Sequence, residues 1–186
     1  MITLADLPHE FSETARRWDL SSLVWDGSSQ VTLRENIPHA PRTASATSKP
    51  TSRFISRSYS GAFVAEVQSQ QYCGIDIELA APSNGNWSIR SKHFVDAVLA
   101  PNELPLLLET SWAKEPFFET QIWASKEAFA KASGDASQYE PNELTSPMTW
   151  SDSPHAERRA INLNFQTDAG ECLIMWVVTL KPQPLN

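Results

Sequence analysis

Residues 73–78 read Cys-Gly-Ile-Asp-Ile-Glu, which sets Asp76 and Glu78 two positions apart, each beside isoleucine. Side chains alternate between faces along a strand, so Ile75 and Ile77 should face a core while Asp76 and Glu78 project together from the other side. The two carboxylates then stand roughly 6–7 Å apart along the strand. Like charges so close repel, which calls for a cation between them or a proton on one of them. A hard divalent ion with oxygen ligands answers that need. Taken alone, an Asp-x-Glu pair is more often the wet acidic edge of a half-exposed strand.

A second chemical stretch lies about fifty residues on, at 123–131: Trp-Ala-Ser-Lys-Glu-Ala-Phe-Ala-Lys. It reads as helix. At about 100° per residue, Ile122 and Phe129 share an apolar arc, and Trp123, Glu127 and Lys131 form an i, i+4, i+8 row that starts at the edge of that arc. Lys126 falls on the apolar side, where a lysine must either run along the surface to water or reach an anion. The plain alternative for Glu127 and Lys131 is a surface ion pair worth a few tenths of a kcal/mol.

The two stretches together resemble the 4′-phosphopantetheinyl transferase superfamily, whose pattern is G-[IV]-D-[IV]-E followed by W-x-x-K-E-[AS]-x-x-K. Residues 74–78 and 123–131 fill every defined position. The length suits the larger, surfactin-synthetase-activating type with a shortened N-terminal half. That resemblance implies an α+β fold, a pseudo-dimer of two similar halves with antiparallel sheets. Residues 1–72 would form the clipped coenzyme A side and 73–186 the half that carries the metal site, as a monomer with the coenzyme in the cleft between halves. It also implies transfer of the phosphopantetheine arm of coenzyme A to a serine of an apo acyl or peptidyl carrier protein. Asp76, Glu78 and Glu127 would hold Mg2+ on the pyrophosphate. Glu127 or a metal-bound water would take the serine proton, and Lys131 would offset charge on the departing phosphate.

Upstream the likeness continues with departures. The family's G-K-P turn reads Ser48-Lys49-Pro50 here, and its S-H-S-G segment reads Ser58-Tyr59-Ser60-Gly61. By likeness Lys49, Ser58 and Tyr59 would contact coenzyme A, with Asp76, Lys126 and Lys131. Tyr59 replaces a histidine; it donates a hydrogen bond but carries no positive charge at neutral pH. A neighbour such as Arg57 would have to supply the charge. Leu99 stands where the family has phenylalanine before an Ala-x-x-Glu turn, here residues 100–103, and Glu103 is read as structural or functional with equal weight. A non-catalytic descendant that binds coenzyme A or a carrier without transfer is the rival reading.

Composition narrows the classes. The chain has 186 residues, 41% of them hydrophobic, with seven tryptophans and thirteen prolines, which describes one folded globule with many irregular connections. A formal charge of −7 argues against nucleic acid as partner, because phosphate binding usually needs a basic surface. An anionic ligand would be met locally, by Lys126 and Lys131 or by Arg90, Lys92 and Lys114. Two cysteines, Cys73 and Cys172, are too few for a disulfide framework or a cysteine-rich zinc site. Residues 1–11 lack a basic region followed by an apolar run, and no eighteen consecutive residues are apolar. The expectation is a cytoplasmic protein without a membrane span.

The elements that must position these groups follow from pattern. Residues 8–18 read as a short helix, 20–25 and 30–34 as paired strands across Asp26-Gly27, and 37–52 as an irregular connection. Residues 53–67 read as strands broken at Gly61, the second expected to pair as a hairpin with 72–78. Residues 91–99 look helical and Pro101 ends that helix. The run 104–108, with Trp112, Phe117 and Phe118, reads as core or as a docking surface. Ile161, Leu163 and Phe165 alternate in one strand, residues 168–170 turn, and 172–180 is apolar enough to be buried on both faces.

Overall fold

The computed structural model describes residues 23–25, 29–35, 54–80, 96–101, 103–108, 118–134, 139–149, 158–166 and 171–181. The helix expected at 8–18, the 37–52 connection with Lys49, the turn at 168–170, and Arg90, Lys92, Trp112, Lys114 and Phe117 lie outside those residues.

Among the described residues, seven strands make two antiparallel sheets. Strands β1 (Leu23–Trp25), β2 (Ser29–Glu35), β3 (Phe54–Ser60) and β4 (Phe63–Ser69) form the first, in the order β1-β2-β4-β3. Strands β5 (Tyr72–Ala80), β6 (Arg158–Gln166) and β7 (Cys172–Leu180) form the second, in the order β5-β7-β6. Helix α1 spans Glu103–Leu108 and α2 spans Phe118–Ser133, with two 3-10 turns at Pro141–Glu143 and Pro147–Thr149. The result is α+β.

Alternation of side chains builds three layers. Val31, Leu33, Ala65 and Val67 of the first sheet meet Ile75, Ile77, Ile161, Leu163, Phe165, Leu173, Met175 and Val177 of the second. The opposite face of the second sheet, through Ile174, Trp176 and Val178, packs on Ile122, Ala124, Ala128 and Ala132 of α2. Strand β7 lies in the middle, and its apolar run is buried on both faces as expected. Trp176 donates to Gln121 Oε1 at 2.7 Å, and Asn162 Nδ2 donates to the same oxygen at 2.8 Å, which fixes the start of α2 over β6 and β7.

The expected β1–β2 and β6–β7 pairings are present, and β3 pairs with β4 across the break expected at Gly61. Gly61 takes φ 55° at the β3–β4 turn, a left-handed conformation glycine adopts freely. The expected hairpin between 64–67 and 72–78 is not formed. Strand β4 is flanked by β2 and β3, and β5 pairs instead with β7, Asp76 opposite Trp176. Chain proximity suggested the hairpin, but β7 offers β5 a long apolar partner over nine residues.

Strand β5 nevertheless touches β3 through side chains. Ser56 Oγ accepts from Ile75 N–H at 3.1 Å and Ser60 Oγ accepts from Leu79 N–H at 2.9 Å. Between them Ser58 Oγ donates to Asp76 Oδ1 at 2.9 Å. Serines at every second position of β3 thus satisfy the edge of β5 that β7 leaves open.

Candidate active site

Residues 74, 76 and 78 share the face of β5 turned toward α2, and Gly74 sets how close the two come. A Cβ there would lie 1.9 Å from the carbonyl oxygen of Ala128 and 2.6 Å from the nitrogen of Ala132. The helix backbone therefore rests on the strand, and its Trp123-Glu127-Lys131 row meets the acidic face. Trp123 lies close enough to Glu78 to favour its charged form. Lys131 Nζ donates to Asp76 Oδ1 at 2.6 Å and to the carbonyl oxygen of Ile75 at 3.3 Å, with Ser58 Oγ at 3.5 Å.

Asp76 is 4% exposed. Burial pushes its carboxyl up to about 6, against the opposing pull of Lys131 and Ser58, and the charge of Glu78 adds to the rise. Its Oδ1 is fully engaged, while Oδ2 is buried without a hydrogen-bond partner. Glu78 is half-buried and is also raised, by desolvation first, with Glu127 contributing from α2. The three carboxylates share one electrostatic neighbourhood.

Glu127 does not form the surface ion pair with Lys131 that helical spacing permits. Lys131 turns to Asp76, and the phenol of Tyr139 donates to Glu127 Oε1. Burial and the Glu127 carboxylate hold that phenol in its protonated form.

Lys126 points elsewhere. It is 0% exposed, and its ammonium donates to Glu103 Oε2 at 2.5 Å, Val98 O at 2.6 Å and Pro141 O at 3.0 Å. Three donors meet three acceptors, which leaves none for a phosphate. Of the two outcomes expected for a lysine on an apolar face, it reaches an anion, and that anion is Glu103. Glu103 also accepts from Ala100 N–H at 2.9 Å and Ser146 N–H at 2.6 Å, so its role is structural.

Ser58 faces β5 and Asp76, whereas Tyr59 lies 59% exposed on the outer side of β3. Arg57, beside it, is paired with Glu66. Lys49 lies outside the described residues.

A hard cation suits this donor set: Asp76 Oδ2 is buried without a hydrogen-bond partner, and all the available ligands are carboxylate oxygens. With the side chains as they stand, no three acidic, histidine or cysteine groups among the described residues converge closely enough to enclose one.

The family model for the 4′-phosphopantetheinyl transferase superfamily matches residues 72–183, more than half the chain, from the start of β5 past the end of β7. The chain belongs to that superfamily. A search of curated proteins returns no match. The matched span contains β5, α1, α2, β6 and β7, and so Asp76, Glu78, Glu103 and Glu127; β3 with Ser58 lies before it.

Two features of this superfamily member escaped sequence reasoning. Tyr139 follows α2 in no recognisable spacing, and nothing in the sequence marked it. Trp123 did carry a signal, since it opens the row that contains Glu127 and Lys131, but nothing in the sequence set it beside Glu78.

Proposed function

We propose that the chain transfers the 4′-phosphopantetheine arm of coenzyme A to a serine hydroxyl of an apo acyl or peptidyl carrier protein, with Mg2+, as a cytoplasmic monomer of the larger surfactin-synthetase-activating type. The observation that carries this reading is Asp76: a buried carboxylate fixed through one oxygen by Ser58 and Lys131, its other oxygen unpartnered on the face shared with Glu78. A buried carboxylate oxygen without a protein partner, beside a second carboxylate, is a place that an ion or ligand can complete.

Asp76 and Glu78 would hold the ion, with Glu127 as third carboxylate. Magnesium would supply charge neutralisation on the pyrophosphate, which phosphoryl transfer depends on alongside positioning. In the reaction the serine oxygen bonds to the β-phosphorus of coenzyme A, the bond from that phosphorus to the bridging oxygen breaks, and adenosine 3′,5′-bisphosphate leaves. The serine proton passes to Glu127 or to a water it orients. Lys131, whose ammonium already lies in the site, offsets negative charge on the departing phosphate. Lys49 and Tyr59 remain assigned to the coenzyme; Lys126 does not, because its donors are committed.

The decisive experiment mixes the full-length protein with coenzyme A, magnesium and a panel of apo carrier domains, and follows intact carrier mass. A gain of one phosphopantetheine is expected, lost in Asp76→Ala. A wild-type protein that binds coenzyme A yet modifies no carrier would establish the non-catalytic alternative.

A further inference from the structure

We infer that Tyr139 is a positioning residue, whose phenol holds Glu127 beside the Asp76–Glu78 face of β5. The inference rests on the transfer reading above and gives Glu127 the support that reading lacks.

Glu127 sits between two residues of its own helical row that are already engaged. Four residues earlier Trp123 lies beside Glu78, and four residues later Lys131 donates to Asp76 Oδ1. Neither is left to orient a flexible glutamate. Tyr139 does so by donating to Glu127 Oε1.

A tyrosine on a connecting segment can fix another side chain only if its own backbone is fixed. Here α2 itself supplies the anchor. Lys126 Nζ donates to Pro141 O at 3.0 Å, two residues beyond Tyr139, and the hydroxyls of Ser125 and Ser146 meet at 2.6 Å. Glu103, paired with Lys126, accepts from Ser146 N–H at 2.6 Å, and Glu143 N–H closes a turn onto Glu140 O at 2.9 Å. Consecutive residues of α2 thus divide the work: Ser125 and Lys126 pin the segment after the helix, and that segment returns a donor to Glu127.

The consequence concerns which oxygen of Glu127 works. With Oε1 held by the phenol, Oε2 is the atom presented to the reaction. A single fixed oxygen suits one role per turnover, either taking the proton or ligating, and a rotating carboxylate would satisfy neither reliably.

Tyr139→Phe in the full-length protein removes only the hydroxyl. With coenzyme A, magnesium and an accepting carrier, kcat should fall by about ten- to a hundred-fold, the scale of a misplaced catalytic group, while KM for coenzyme A stays within about two-fold. A wild-type kcat, or a loss confined to KM, would overturn the inference. Thermal unfolding of Tyr139→Phe, Glu127→Ala and the double variant gives an independent measure: the two changes should be coupled, and strict additivity would also overturn it. If the wild-type protein modifies no carrier, the transfer reading fails, and the unfolding cycle alone then decides whether Tyr139 holds Glu127.

Discussion

At the scale of single residues, the acidic face of β5 is held at a thermodynamic cost. The Asp76 carboxyl is moved from its ordinary 3.8 to about 6 because burial outweighs Lys131 and Ser58. A raised acid binds more protons in the folded than in the unfolded chain between those two values, so its contribution to stability is present below pH 3.8 and is lost as pH rises through 6. Above pH 6 the buried charge opposes folding by on the order of 2–3 kcal/mol. Asp76→Asn keeps an oxygen for Ser58 and Lys131 but removes that charge. In metal-free buffer at pH 7 it should unfold at a higher urea concentration than wild type, and the gap should close toward pH 4. A variant less stable than wild type at pH 7 would show that the Lys131 ion pair outweighs desolvation. Stabilisation together with lost transfer is what a functional carboxylate predicts.

Between elements, the contact of α2 with β5 determines whether the two chemical stretches meet at all. The second stretch begins fifty residues after the first, and Gly74 allows the helix to settle on the strand without an intervening side chain. Gly74→Ala would put a methyl group on the carbonyl of Ala128, and backbone cannot yield as a side chain can. The helix must lift, which loosens the small-residue packing of Ala128 and Ala132 and lengthens the Lys131–Asp76 pair. A loss of about 1–3 kcal/mol, typical of overpacking, is expected in chemical denaturation, with transfer falling further than stability alone explains. Unchanged denaturation would mean that the helix and strand are not so tightly docked. The glycine that opens the G-I-D-I-E pattern therefore has a packing reason quite apart from the acids that follow it.

For the molecule as a whole, two antiparallel sheets share one apolar core and are joined along β3 and β5 by serine side chains. Those serines are the polar seam of the assembly. Ser56→Ala and Ser60→Ala each strip the acceptor from a backbone N–H of β5 and should each cost about 1–2 kcal/mol in urea unfolding. Ser58→Ala belongs to the site instead, since its hydroxyl serves Asp76 and not the backbone. No helix among the described residues is long and apolar enough to cross a membrane.

Much of this was legible beforehand where the pattern is local. The period-two alternation of 161–165 and the apolar run of 172–180 appear as β6 and β7, and Gly61 separates β3 from β4 as its conformational freedom suggests. Partner choice was less accessible. The strand at 63–69 is as near in sequence to 72–80 as any hairpin, yet β5 lies against β7 a hundred residues away, because strand pairing answers to the burial of whole faces. Lys126 shows the same limit in one side chain: its place on the wheel announced a lysine in need of an anion, and only the folded chain could show that Glu103 is that anion.

The amino-acid order by itself determined the family, the acidic strand and the helical row of Trp123, Glu127 and Lys131, since these depend on residue type and short-range periodicity. Tertiary structure alone decided that Lys131 answers Asp76, that Lys126 is turned inward, and that Tyr139 serves Glu127. Those choices depend on which groups become neighbours when water is excluded, where each buried donor and acceptor must find a partner among whatever the fold brings near.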